Sequence, residues 1–271
     1  FHVWPFTISA VSIYVWENEM NFLHLPGAIC LTACLLFVPA FNSSASDTTP
    51  DALTRYKAMI DASIKQFEET ERGKWSYKVV RMESEEGDVT SSTEVFTPHE
   101  DKLNRWTLLE LNGQQANKAQ QDAFVRNKVA SSESNQNPDS NIKVKLREII
   151  DLETLSFVSE NHTHIELAFN VHIEKLGDDA IGKLDGLLTF DKQNHYIDTI
   201  RVTNNEEFSP MFSAAISDFK LTLKFTELED AILPVEASME MKGSFAFFTE
   251  INEVSTDRYS QYVYHGQVEQ K

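Results

Sequence analysis

The chain has 271 residues, and its 42 acidic and 24 basic side chains give a formal net charge of −18 at pH 7. Such a charge repels phosphate groups and anionic lipid headgroups, which argues against nucleic-acid binding and against a basic membrane-surface role. Both cysteines, Cys30 and Cys34, lie in the first 45 residues, so the rest of the chain can form neither a disulfide framework nor a thiolate metal site.

The N-terminal part of the chain has the pattern of an export signal. Starting from Met20, an apolar core runs from about residue 28 to 41, which is shorter than the roughly 20 residues needed to span a bilayer. Small residues follow it, with Ser43 and Ala45 at positions −3 and −1 of a signal-peptidase site. We therefore predict a signal peptide over residues 20–45, cleaved after Ala45.

The predicted mature domain, residues 46–271, is then periplasmic or secreted. Two alternatives remain open. Cys34 lies in a lipobox-like stretch and would anchor the protein if it were lipidated, or the N-terminal segment would remain as an uncleaved membrane anchor. Residues 1–19 begin without Met and are interpreted as a leader extension upstream of the true start.

Two segments of the mature domain have helical patterns. Apolar side chains recur every three or four residues from Asp51 to Phe67, and Pro50 suits the first turn of such a helix. A second, weaker stripe that is rich in alanine runs from Ala116 to Val129. The polar sequence 131–141 that follows is predicted to be a flexible loop, and a short helix is expected over 144–152.

Most of the remaining chain alternates between apolar and polar residues, which is typical of β-strands with one solvated face. The clearest example is 163–173, and Asn112 and Gly113 form a strong hairpin-turn signal after the strand ending at Leu111. The other predicted strands cover 75–82, 87–96, 155–159, 184–190, 196–202, 219–225, 233–241 and 245–248.

These patterns predict an α+β fold with one curved antiparallel sheet of about eight to ten strands. Helices do not alternate with strands, which excludes a parallel crossover fold. A sheet of this length must curl so that its apolar face is covered. We therefore expect a single-domain half-barrel whose two main helices cover the concave face.

The aromatic and aliphatic residues of the apolar face are the candidate ligand-binding residues, because a half-barrel covered by only two helices leaves space for an acyl chain. The candidate cavity lining consists of Trp75, Tyr77, Val79, Trp106, Leu167, Phe169, Phe219, Leu221, Leu223, Phe225 and Phe245. The candidate lid residues on the two helices are Tyr56, Met59, Ile60 and Phe124.

The sequence offers little sign of catalysis or of a metal site. No nucleophile elbow, zinc-protease motif, dinucleotide fingerprint or P-loop occurs in the chain. His162, His164 and Glu166 share one face of a predicted strand with His172, but a strand places His164 about 26 Å from His172. We therefore expect these to be solvated side chains, and we expect no cofactor, no metal and no enzymatic activity.

The arrangement of segments resembles the LolA/LolB lipoprotein-carrier superfamily over roughly residues 51–265. It combines an export signal, a long amphipathic helix, a one-sided antiparallel meander and a helix inserted within the meander. The stretch RWTLLELNGQQA, from Arg105 to Ala116, is similar to a segment of uncharacterised secreted bacterial proteins of this superfamily. The resemblance implies a half-barrel that shelters lipid chains in the periplasm, with Arg81 or Arg105 as the candidate for a lid-holding arginine.

The expected function is thus a periplasmic binding or carrier protein that sequesters a lipid or a lipidated protein in the half-barrel. The alternative is a cell-envelope module that binds a protein partner through a sheet edge or an exposed patch, without a small ligand. A hydrolase is the third hypothesis.

Overall fold

The computed structural model describes residues 50–133, 145–246 and 249–266. The predicted signal peptide, with Cys34 and Ala45, lies outside the described residues. Within them, no helix combines the length and the apolar character needed to cross a bilayer.

The described chain forms one antiparallel sheet of twelve strands with three α-helices. The helices are α1 (Pro50–Glu69), α2 (Lys118–Glu133) and the single-turn α3 (Leu146–Ile149). The strands are β1 (Trp75–Glu85), β2 (Asp88–Phe96), β3 (Trp106–Leu111), β4 (Gln114–Gln115), β5 (Ser156–Glu160), β6 (His164–Asn170), β7 (Leu184–Asp191), β8 (Tyr196–Asn204), β9 (Phe208–Met211), β10 (Ala214–Leu228), β11 (Ala231–Phe245) and β12 (Thr249–Tyr264).

The sheet is open, and its strand order is β4-β3-β2-β1-β12-β11-β10-β8-β7-β6-β5, with β9 paired to β10. Strands β1 to β4 form one sequential meander and β5 to β8 another. The last strand, β12, lies between β1 and β11 and joins the two halves. The α+β class and the single curved antiparallel sheet predicted from the sequence are confirmed.

One face of the sheet, here called the inner face, carries the core. Residues that lie directly opposite each other in neighbouring strands point to the same face. The register therefore places Leu223, Ala237, Asp257 and Arg81 in one row across that face. This row is apolar on β10 and charged on β1 and β12.

Helix α1 forms because its apolar residues recur at helical spacing and because a sheet face is available to bury them. Tyr56, Ile60, Ile64 and Phe67 are each at most 5% exposed and pack on the half of the sheet built by β5 to β11. Arg147 of α3 forms an ion pair with Asp61 of α1. The core of the molecule therefore lies under α1.

The sequence underestimated the number of strands, because the two-residue β4, β9 and β12 were not predicted. Strand β12 carries Glu253, Ser255 and Asp257 at its inner-face positions, and these polar residues hide the alternation. Phe245 ends β11 instead of beginning a new strand. Helix α2 continues to Glu133, so the first three residues of the predicted loop 131–141 are helical, and residues 134–141 lie outside the described chain.

Candidate functional site

The predicted cavity lining is divided between the two halves of the sheet. One group lies in a single apolar cluster with Tyr56 and Ile60 of α1, and Met59 packs against it. Its members are between 0% and 6% exposed. They are Leu167, Phe169, Phe219, Leu221, Leu223 and Phe225. A ligand reaches these side chains only if α1 leaves the sheet.

Helix α1 is held to the sheet by polar contacts as well as by burial. The backbone N–H of Ile197 donates to the buried Ser63 hydroxyl at 2.8 Å, and the Tyr56 hydroxyl donates to Glu160 at 2.6 Å. A buried hydroxyl that satisfies a buried backbone N–H is costly to remove. These contacts favour a structural role for α1, in contrast to the lid predicted from the sequence.

The second group of predicted lining residues lies beneath α2. Tyr77 of β1 stacks on Phe96 of β2, with ring centroids 5.2 Å apart, and also contacts Trp106 of β3 at 6.0 Å. Trp106 in turn meets Phe124 of α2 at 6.4 Å. Further contacts extend the set to six rings, here called the aromatic layer: Tyr77, Phe96, Trp106, Phe124, Tyr259 and Tyr262.

Helix α2 lies loosely on this layer. Between Lys118 and Ala130 every side chain of α2 is half-buried or exposed, and none is fully buried. Trp106 is itself only half-buried, whereas Val79 on the inner face of β1 is completely buried. Because hydrophobic stabilisation scales with the apolar area removed from water, α2 is bound to the sheet more weakly than α1.

Four charged side chains form a buried ionic cluster beside the aromatic layer: Arg81 of β1, Glu94 of β2, Asp257 of β12 and Lys128 of α2. Arg81 forms an ion pair with Asp257 directly opposite it, and its Nε lies 3.1 Å from Oε2 of Glu94. Lys128 Nζ approaches the same Glu94 oxygen at 2.9 Å. With two cations and two anions the cluster is neutral, which is what its burial requires.

Lys128 also links the cluster to the aromatic layer. Its ammonium group lies 4.4 Å from the ring centroid of Trp106 and 5.1 Å from that of Phe124. Both distances are within the range of a cation–π interaction. Lys128 is therefore the residue through which α2 is fastened to the sheet.

The pKa values of the two carboxylates in the ionic cluster shift in opposite directions, because burial and the neighbouring cations act against each other. Burial alone would raise the pKa of Glu94, but Arg81 and Lys128 together hold that pKa below its usual value. Burial raises the pKa of Asp257, with Arg81 opposing the shift. Burial also raises the pKa of Tyr259 well above its usual value, and the adjacent Asp257 adds to this effect. The Tyr259 hydroxyl donates to Asp257 at 3.2 Å.

A row of acids continues from the ionic cluster toward the β1–β2 turn. On the inner face Glu85 lies directly opposite Glu253. Burial, together with Glu85 and Glu86, raises the pKa of Glu253 to about 7. Burial and the charge of Asp257 also raise the pKa of Glu83. This end of the inner face therefore takes up protons more readily than free glutamate does.

The other predicted site residues lie elsewhere. Trp75 belongs to a small separate cluster with Ala231 and Leu233, and Phe245 is half-buried at the end of β11. Of the two candidate arginines, Arg81 lies in the ionic cluster, whereas Arg105 donates from its Nε to the backbone carbonyl of His99 at 2.6 Å.

Sequence reasoning missed Glu94, Lys128 and Asp257. Glu94 lies on the same face of β2 as Phe96. An acidic residue at an apolar position of an alternating strand could therefore have indicated a buried charge. Asp257 carried the same signal two residues before Tyr259, in a strand that was not recognised. Lys128 had no signal, because its role depends on the position of α2 over the sheet.

The histidine-rich strand provides local contacts. The His164 ring lies 2.8 Å from the Thr163 hydroxyl, and Glu166 accepts a hydrogen bond from Ser159 at 2.7 Å. Across the described ranges, His, Asp and Glu side chains nowhere converge in groups of three or more that could hold a metal ion.

Comparisons with known proteins give one distant structural likeness. No protein-family model matches the chain, and no curated protein matches it. A crystal structure of a DUF1329 family protein from Desulfovibrio piger is 9% identical and aligns with 80% of this chain and 95% of that one. The TM-score is 0.32, a value at which the likeness carries no argument about function.

Proposed function

We propose that the protein is a binding or carrier protein that holds the apolar chain of a lipid or lipidated partner on the aromatic layer beneath α2. The observation that carries the proposal is the contrast between the helices. Helix α1 buries four apolar side chains in the core, whereas α2 meets the rings of the sheet through Phe124 on Trp106 and fully buries none of its own side chains between Lys118 and Ala130. In the half of the sheet under α2, a ligand can therefore take the place of the helix on the aromatic rings.

In this proposal α2 acts as a lid that Lys128 keeps closed. Opening the lid separates Lys128 from Glu94 and from the ring of Trp106. Burial of an acyl chain on the exposed rings offsets this loss, at about 0.8 kcal/mol for each methylene group. Arg81 stays paired with Asp257 during opening, because both side chains belong to the sheet.

The proposal is one of binding without catalysis, in a periplasmic or secreted protein. The charged groups of the ionic cluster neutralise one another under α2, an arrangement that supports the closed structure. The export signal predicted over residues 20–45 supports the location.

The first test is organic extraction of the purified protein followed by mass spectrometry for bound lipid. The second is titration with a long-chain fluorescent fatty acid, comparing Trp106→Ala and Phe124→Ala with Phe157→Ala. Phe157 is a matched control, since it is a half-buried aromatic that stacks on Tyr56 at 6.0 Å, in the other half of the sheet.

We expect each variant of the aromatic layer to weaken probe binding by roughly tenfold or more, the size of a lost aromatic contact surface, and the control to bind normally. The absence of both extracted lipid and saturable probe binding would refute the proposal. A loss in Phe157→Ala alone, with normal binding in the other two variants, would place the ligand under α1 instead.

A second candidate function, binding of a protein partner through an exposed patch, is favoured by the β9–β10 turn. Phe212 is completely exposed there, and the neighbouring Met211 is 39% exposed. The two adjacent side chains form a contiguous apolar patch that a partner could cover. Pull-down from envelope fractions with the protein and with Phe212→Ser tests it, because a specific partner must be retained by the first and lost by the second.

A further inference from the structure

A groove beside the aromatic layer lies between the C-terminal half of α1 and the turn that joins β10 to β11. Its volume is about 530 Å³, which is the size of a small-molecule site. Trp75 and Ala231 line its inner part, and Tyr264 lies at its rim. Trp75 is 4% exposed and Tyr264 is 45% exposed, with their ring centroids 5.1 Å apart.

The groove is preformed, because hydrogen bonds fix the turn against the helix. The side-chain amide of Gln66 donates to the backbone carbonyl of Asp230 at 3.0 Å. The backbone N–H of Ile232 donates to the Thr70 hydroxyl at 3.2 Å. A ligand therefore binds without first ordering its site, which lowers the entropic cost of binding.

The charge of the groove is negative. Four carboxylates line it, on Glu69, Glu71, Glu229 and Asp230, against the single cation Lys65. Lys65 lies 3.7 Å from Glu69, and Lys74, from just outside the groove, lies 2.7 Å from Glu71.

The other two carboxylates, on Glu229 and Asp230, have no ion-pair partner among residues 50–133, 145–246 and 249–266. The end of α1 does not add to this charge, because the Arg72 guanidinium donates to the backbone carbonyls of Phe67 and Thr70 there.

We propose that this groove binds a small organic ammonium ion. The carboxylates of Glu229 and Asp230 neutralise its charge, and its alkyl groups pack against the rings of Tyr264 and Trp75. The negative lining excludes anions. Within the described residues the carboxylates of the groove do not converge in a group of three or more that could hold a metal ion, and the charged rim disfavours a purely apolar ligand. The site adjoins the aromatic layer, since the Trp75 ring meets that of Tyr262 at 6.4 Å, but none of its lining residues belongs to that layer, and it does not depend on the function proposed above.

The test titrates the purified protein with tetramethylammonium chloride. The NMR signals of the tryptophan and tyrosine rings are followed, and a titration with sodium chloride at equal ionic strength is the reference. The first variant is Glu229→Gln with Asp230→Asn, which keeps the size of both side chains. The second is Tyr264→Leu, which keeps apolar bulk and removes the ring. The matched control is Glu206→Gln with Glu207→Gln, which changes the net charge equally on the exposed β8–β9 loop.

We expect saturable shifts of the Trp75 and Tyr264 signals in the unmodified protein. Loss of the two carboxylates weakens binding by roughly tenfold, as for two exposed ion pairs. Loss of the Tyr264 ring weakens it by roughly two- to fivefold, and the control leaves it unchanged. Shifts that sodium chloride reproduces, or an equal loss in the control, would show general attraction of counterions and overturn the proposal, as would the absence of saturable shifts.

Discussion

Arg81 and Asp257 lie directly opposite each other on β1 and β12, 176 residues apart in sequence, and form an ion pair in which both side chains are at most 9% exposed. This pair lies on the strand junction that joins the two halves of the sheet. A buried charge depends on its partner, because removal of one ion leaves the other in a medium that solvates it poorly.

Arg81→Met is therefore expected to lower the free energy of unfolding by about 3–5 kcal/mol. Asp257 loses its counterion, and Glu94 loses one of the two cations, Arg81 and Lys128, that pair with it. Urea denaturation measures the effect. The control is Lys220→Met, which removes an outer pair with Glu240 whose side chains are about half exposed, and it should cost less than about 1 kcal/mol. The double variant Arg81→Met with Asp257→Leu should recover part of the loss. If the double variant recovers no stability, the unpaired carboxylate of Asp257 is not the main cause of the loss.

Stability should fall as the pH rises from about 4.5 to about 7. The pKa of Glu253 is raised from 4.5 to about 7 in the folded protein, so the folded state holds a proton that the unfolded state has already released. The raised pKa values of Glu83 and Asp257 act in the same direction. The lowered pKa of Glu94 acts oppositely, and its contribution is lost as the pH falls below 4.5.

Thermal unfolding between pH 4 and pH 8 measures this dependence. Glu253→Gln should reduce the slope above pH 4.5, because its side chain carries no titrating proton. Glu250→Gln, an exposed change on the same strand, is the matched control. An unchanged slope in Glu253→Gln would show that other groups cause the dependence.

The two helices should differ in what they contribute to stability. Ile64 of α1 is completely buried, and Ile64→Ala should cost about 2–5 kcal/mol because it leaves a cavity in the core. Val125 of α2 is only half-buried, and Val125→Ala should cost about 1 kcal/mol or less. Urea denaturation compares the two, and amide exchange should be faster in α2. Equal losses would argue against α2 as a lid.

How far the sequence predicted these features depends on the chemistry of each position. The apolar period of α1 and the alternation in β6 follow from burial, so both elements were predicted. Strand β12 was missed because Ser255 and Asp257 occupy its inner face, where a pattern search requires apolar residues. The ionic cluster was missed for the same reason. Its members come from four elements, and their meeting depends on a strand order that local patterns do not contain.

The β10–β11 turn should become more stable when its residues suit its backbone. Glu229 and Asp230 both adopt left-handed conformations, with φ of 51° and 64°, in a two-residue turn that favours Asn followed by Gly. Glu229→Asn with Asp230→Gly is therefore expected to raise the free energy of unfolding by about 0.5–1 kcal/mol, measured by thermal unfolding. The same variant should lose tetramethylammonium binding, whereas Glu229→Gln with Asp230→Asn should lose binding without the gain in stability.

The position of β12 between β1 and β11 has a consequence for the order of folding. Each half of the sheet can assemble from neighbouring segments of the chain, but the junction requires the 16 residues of β12. Contacts across so long a stretch of chain form slowly. During synthesis the two halves therefore stay separate until the ribosome has released the C-terminal strand, and a chain that ends before β12 would leave β1 and β11 as two exposed edges, each open to pairing with another molecule.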